Sequence, residues 1–216
     1  MFDGEHNPYD IKNIRNCLSA TQGTSSSVGV RVPVGETWII KQVLDAGAQT
    51  VLVPMVETAE HAKQLVRDVR YPPSGQRGVG YATTRAAKFS EIPDYGPTAD
   101  DQICLLVQVE NLKGLAALDE ILAVDGIDGV FIGPADLAAD MGHLGQLMHP
   151  EVQEAVSSAI KRIAASDKAP GVLSAIDEMT ELMLDSGAQF VAVGLDAMIL
   201  RANAIALQEK WKSRIT

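Results

Sequence analysis

The chain has 216 residues, 46% of them hydrophobic and 21% charged, with a formal net charge of −10. That length supports one domain with a sizeable core, and an acid excess with no basic stripe excludes nucleic acid and anionic membrane surfaces as partners. Two cysteines, Cys17 and Cys104, make no disulfide framework and point to a reducing cytoplasm; no apolar run nears a membrane span, and the acidic start is wrong for a secretory signal.

The first residues, MFDGEH, place Asp3, Glu5 and His6 together where a chain is usually frayed. Past residue 27 the pattern becomes regular. VGVRVP (28–33) reads as a strand and TWIIKQVLDAG (37–47) as a helix stopped by Gly47. Strand 50–56 precedes helix 57–70, and a Pro/Gly-rich loop, RYPPSGQRGVG, fills 70–80. Strand 103–109 leads to helix 111–124, and strand 129–133 to a short helix over 134–142. A helix over 150–165, strand 170–174, helix 176–187, strand 190–194 and a last helix from about 196 to 213 complete the chain. Buried strands alternating with amphipathic helices mean βα units and a parallel sheet covered on both faces.

These are six units. A doubly wound sheet of six strands is one reading. A (β/α)8 barrel has eight units and typically ~250 residues, a shortfall here of roughly 35 residues, or about one unit and a further strand. FDGEH then reads as the end of barrel strand two. The expected fold is an α/β TIM (β/α)8 barrel lacking its first strand–helix unit and most of strand two, a single incomplete barrel domain over 1–216.

Catalytic groups of such a barrel sit at the C-terminal ends of its strands. There the sequence offers Asp3, Glu5 and His6, then Arg31, then Gln108 and Glu110, then Ala135 and Asp136. Glu110 and Asp136 follow consecutive strands. Two carboxylates without a Cys or His beside them suit a hard divalent cation; alternatively each supports a helix N-terminus. Arg31 on a buried strand must pair with an internal carboxylate or face a ligand. Asp45 lies in the last turn of its helix, against the helix dipole. His61, His143 and His149 read as surface residues, and the loop holding Arg70 and Arg77 as one that either approaches an anion or covers the surface.

The ordered set DGEH, VRVP, LVPMVET, RYPPSGQRGVG, LLVQVE, DGVFIGPADLAADMG and FVAVGLD resembles the class II, metal-dependent pyruvate aldolases, and among them the 4-hydroxy-2-oxoheptanedioate aldolases of the phosphoenolpyruvate/pyruvate-binding barrel superfamily. The resemblance implies reversible cleavage of a 4-hydroxy-2-oxo acid to pyruvate and an aldehyde such as succinic semialdehyde, as in aromatic compound catabolism. It implies a divalent cofactor (Mg²⁺, Mn²⁺ or Co²⁺) on Glu110 and Asp136. Gln108, Ala135 and Asp136 would contact the substrate, Arg31 would steady the enolate, and His6 with Asp45 would serve as general base. No Lys stands at a Schiff-base position. The implied setting is a cytoplasmic hexamer, a trimer of dimers, taking small molecules and neither nucleic acid nor membrane. The last helix carries Leu195, Met198, Ile199, Ala202, Ile205, Ala206 and Leu207; coverage so broad must be buried, and the resemblance implies a neighbouring subunit. Family chains carry roughly one and a half further N-terminal units, judged against a typical barrel. The alternatives are a non-catalytic remnant of the same fold, or a lyase acting on coenzyme A esters.

Overall fold

The computed structural model describes residues 1–212 and 214. Its strands are β1 (Phe2–Asp3), β2 (Gly29–Arg31), β3 (Thr50–Val53), β4 (Cys104–Val109), β5 (Gly129–Ile132), β6 (Ala169–Leu173) and β7 (Phe190–Ala192). Its helices are α1 (Ile11–Ala20), α2 (Thr37–Asp45), α3 (Ala59–Val69), α4 (Tyr95–Thr98), α5 (Leu112–Ala116), α6 (Leu118–Leu122), α7 (Pro134–Asp140), α8 (Pro150–Ala164), α9 (Asp177–Asp185) and α10 (Asp196–Lys212). None of the described helices is long and apolar enough to cross a membrane.

The seven strands form one sheet in chain order, every pair parallel. Each intervening helix returns the chain to the same end of the sheet, so the next strand pairs beside the last. Side chains alternate between the two faces. Val30, Val51, Val107, Val130 and Val172 face the helices and join the main core. Leu52, Leu106 and Phe131 face the other way and make a small second cluster with Cys104 and Leu173. The register sets Arg31 beside Leu52 and Gln108 beside Phe131, so both share that second face.

The barrel expectation is corrected here. The sheet is curled but open, with seven strands and with β1 and β7 as its two edges. A closed barrel needs every strand paired on both sides, whereas the two-residue β1 pairs with β2 alone. Helix α1 is an element the sequence pattern does not announce: only Ile14 and Leu18 of its ten residues are buried, and its start rests on Asp10 accepting from the Asn13 N–H at 2.8 Å. The single helix expected over 111–124 divides into α5 and α6 at Ala117, whose ψ of 4° leaves the helical range. The expectation that the last helix is buried is not met within the chain: no residue of α10 is buried, and Leu200 is 72% exposed.

The loop over 70–80 is neither an open anion cradle nor a loose cover. Arg77 is fully buried, stacks 4.5 Å over the Tyr71 ring and reaches Asp45 Oδ1 with Nη2 at 3.0 Å. Burial pushes the Tyr71 phenol up to about 12. The loop backbone is tied to α3, with Gln76 N–H donating to the Arg67 carbonyl and Arg77 N–H to that of Arg70. Asp45 therefore stands against its helix dipole because a buried guanidinium neutralises it. Losing Asp45 strands that cation, whereas losing Arg77 strands only a carboxylate that still sees water. Asp45→Ala is expected to lower the unfolding free energy by about 3 kcal/mol, and Arg77→Met by clearly less. Urea titrations of both variants check this order; the reverse order would deny the pair its role.

Candidate active site

The site grows from one cross-strand pair. Asp3 and Arg31 are register partners on β1 and β2. Arg31 donates to both oxygens of Asp3, Nε to Oδ1 at 2.8 Å and Nη2 to Oδ2 at 2.7 Å, a bidentate ion pair. Its remaining nitrogen, Nη1, lies 2.8 Å from Glu5 Oε2. Burial works against the charge of Arg31, but Asp3 and Glu5 outweigh it and hold the guanidinium above its ordinary pKa. Burial likewise pushes Asp3 upward, but Arg31 and the Glu5 N–H (3.0 Å) prevail and hold it below the usual carboxylate value. Both readings of Arg31 thus meet in one place: it is paired internally, at the strand ends where ligands of such sheets bind.

Glu110 follows β4 and is 3% exposed. Its Oε1 accepts from the Met55 backbone N–H at 2.7 Å and its Oε2 from Gln108 Nε2. Met55 turns that N–H inward from a left-handed conformation, φ 56°, which a residue with a Cβ rarely adopts. Gly133, between β5 and α7, is required by close approach: a Cβ there would lie 2.7 Å from Glu110 Oε2. Asp136 stands exposed in the first turn of α7, with Ala135 exposed beside it. Burial raises the Glu110 pKa despite its two hydrogen bonds, and the charges of Glu5 and Asp136 raise it further. Glu5 is raised by burial and by Asp3 and Asp136, against the pull of Arg31 and His6.

The structure therefore gathers Asp3, Glu5, Arg31, Gln108, Glu110 and Asp136 around one mouth. His6 stands at its rim, its side chain 63% exposed and its Nε2 3.7 Å from Glu5 Oε2. Asp45 is not brought there. It ends α2, just before β3 begins, so it lies at the opposite end of the sheet, paired with Arg77. Four participants had no role assigned from the sequence: Asp3, Glu5, the Met55 N–H and Gly133. Asp3 and Glu5 carried a signal, their place among the strand-end polar residues; the other two carried none.

Four carboxylates share one guanidinium in this mouth, and Gln108 Oε1 is buried with no hydrogen-bond partner. Such a surplus of oxygen donors and negative charge fits a hard divalent cation.

The sign of the Glu110 shift gives a stability test. A carboxyl held above its unfolded pKa binds protons more readily in the folded state, so it opposes folding once pH rises through the folded pKa and costs nothing below the unfolded one. Glu110→Gln removes that cost and can exchange hydrogen bonds with a flipped Gln108. The variant is expected to be more stable than the wild type near pH 7 and equally stable near pH 3. Thermal melts across that range check it, and a constant offset at all pH values would contradict it.

Comparison with known proteins places the chain in a family. The family model described as HpcH/HpaI aldolase/citrate lyase matches residues 1–203. A hydroxypyruvate/pyruvate aldolase of Roseobacter denitrificans is 58% identical over 212 residues, covering 98% of this chain and 83% of that protein. A 4-hydroxy-2-oxo-heptane-1,7-dioate aldolase of Klebsiella pneumoniae is 48% identical over 216 residues, covering all of this chain and 82% of the other. The crystal structure of an HpcH/HpaI aldolase/citrate lyase family protein from Burkholderia cenocepacia superposes with a TM-score of 0.90 at 37% identity, over 96% of this chain and 83% of that one. The extent of these matches is decisive: the chain belongs to the HpcH/HpaI aldolase/citrate lyase family and is a lyase of the aldolase type.

Proposed function

We propose that the chain is a metal-dependent pyruvate aldolase that reversibly cleaves a 4-hydroxy-2-oxo acid into pyruvate and an aldehyde. The observation that carries this reading is the convergence of Arg31, Glu110 and Asp136 on one mouth, with Glu5 between them. Glu110 and Asp136 would hold a divalent cation such as Mg²⁺, Mn²⁺ or Co²⁺, which supplies Lewis-acid stabilisation of an enolate. Met55 N–H and Gln108 fix the Glu110 carboxylate in one orientation. Gln108 and Ala135, with Asp136, line the position of the 2-oxo acid. Arg31 presents a fixed cation where negative charge develops. His6, exposed and free to turn at the rim, takes the proton of the C4 hydroxyl. Its partnership with Asp45 is not made within the chain, and Glu5 is the carboxylate beside it.

Two substrate readings are supported by the relatives. The heptanedioate aldolases favour succinic semialdehyde as the aldehyde half. The more similar hydroxypyruvate/pyruvate aldolases favour a site that also accepts hydroxypyruvate as the 2-oxo acid half. The uncovered apolar residues of α10 support assembly into a homo-oligomer.

Glu110→Ala and Asp136→Ala are each expected to abolish pyruvate release while the fold persists. Divalent metal should restore chelated wild-type protein and neither variant; full activity in metal-free protein would exclude the mechanism.

His6→Ala and Arg31→Ala are expected to divide the reaction. The first should slow aldol cleavage about 10²–10⁴-fold and leave deuterium exchange at the pyruvate methyl largely intact. The second should slow both, by about 10²–10³-fold. Equal, less than tenfold effects of His6→Ala on both reactions would deny it the role of base.

A further inference from the structure

Away from this mouth, one group of metal-binding side chains stands out among the described residues: His143, His149 and Glu151, whose potential ligand atoms all lie within 4.8 Å of one another. The sequence reads both histidines as surface residues, yet the His143 side chain is only 20% exposed. The segment between α7 and α8 folds back on itself to bring them together. Gly142 and Gly145 take positive φ, 84° and 76°, and His143 N–H donates to the Ala138 carbonyl at 2.7 Å. Gln146 N–H then donates to the His143 carbonyl, and His149 N–H to that of Gln146, each at 2.9 Å. His149 caps α8 ahead of Pro150, and Glu151 lies in the first turn.

The two imidazoles are stacked, centroids 3.7 Å apart and planes at 18°. His143 Nε2 is 3.1 Å from Glu151 Oε2. The edge between two ligands of a tetrahedral zinc site, with bonds of about 2.0–2.1 Å, is about 3.3 Å. His149 Nδ1 receives only a long bond, 3.4 Å, from the Glu151 N–H. Rotation of the His149 ring out of the stack gives up that long bond and the stacking contact, and turns a lone pair toward the other two ligands.

We propose that His143, His149 and Glu151 form a second cation site, separate from the all-oxygen mouth, that takes a zinc-class divalent ion and leaves a fourth position to water. Two imidazoles and a carboxylate select Zn²⁺, Ni²⁺ or Co²⁺ over Mg²⁺. Bound there, the ion clips the α7–α8 connection to the first turn of α8.

The test uses the untagged full chain carrying Glu110→Gln and Asp136→Asn, so that the mouth takes no metal. Calorimetric titration with Zn²⁺ should show one ion per chain, undisturbed by millimolar Mg²⁺. Co²⁺ should give the visible absorption of a four-coordinate ion. Adding His143→Gln should weaken Zn²⁺ binding at least tenfold and remove the Co²⁺ band. Glu151→Gln, on a side chain 71% exposed, should weaken binding without touching the fold. Zn²⁺ affinity within twofold of the parent in both variants, or no Zn²⁺ binding by the parent, would overturn the proposal. Because the mouth is silenced throughout, neither outcome bears on the aldolase reading.

Discussion

A guanidinium at the end of a buried parallel strand can remain charged only if something opposite answers it, and the arrangement of the mouth follows from that constraint. The register of β1 on β2 sets Asp3 directly beside Arg31, and a bidentate pair satisfies two of its three nitrogens. The third falls to Glu5, in the bend that follows β1. With Arg31 thus occupied, the charges of Glu5 and Asp136 add to burial at Glu110, and both Glu110 and Glu5 are harder to ionise than free carboxylates. The excess of carboxylate over cation in the mouth is therefore a consequence of how fully Asp3 and Glu5 occupy the one arginine.

Much of this was legible before the structure. The alternation of apolar runs and amphipathic stretches located six of the seven strands, because strands buried on both faces leave a hydrophobic signature. The strand-end positions of Arg31, Gln108, Glu110 and Asp136 followed from the same pattern. Closure was not legible: apolar runs mark strands but say nothing of whether the first meets the last, and here β1 and β7 remain edges. Helix α1 escaped notice because it buries two side chains and is set by a cap, not by a stripe. The Met55 N–H is backbone chemistry, which a side-chain pattern does not encode.

Asp45 shows how a polar anomaly can be read two ways. An acid at a helix C-terminus signals that something compensates it, and the resemblance assigned that something to His6. Within the chain the compensation comes from Arg77, thirty-two positions along, buried under a loop whose glycines and prolines suggested exposure. Composition misled there because the loop is covered by its own aromatic neighbours, Tyr71, Tyr81 and Tyr95, whose rings pack at 5.7–5.8 Å.

The position of Glu5 carries a kinetic meaning. Its carboxylate already occupies the third nitrogen of Arg31, tethered two residues from Asp3. Any anionic ligand that comes to that nitrogen competes with a rival whose effective concentration is set by the tether and not by the solution. Affinity for the anion is reduced by that competition, and departure is assisted by it, since Glu5 is on hand to close over the guanidinium as the ligand leaves. An internal carboxylate so placed would act as a displacer toward any anion drawn to that nitrogen.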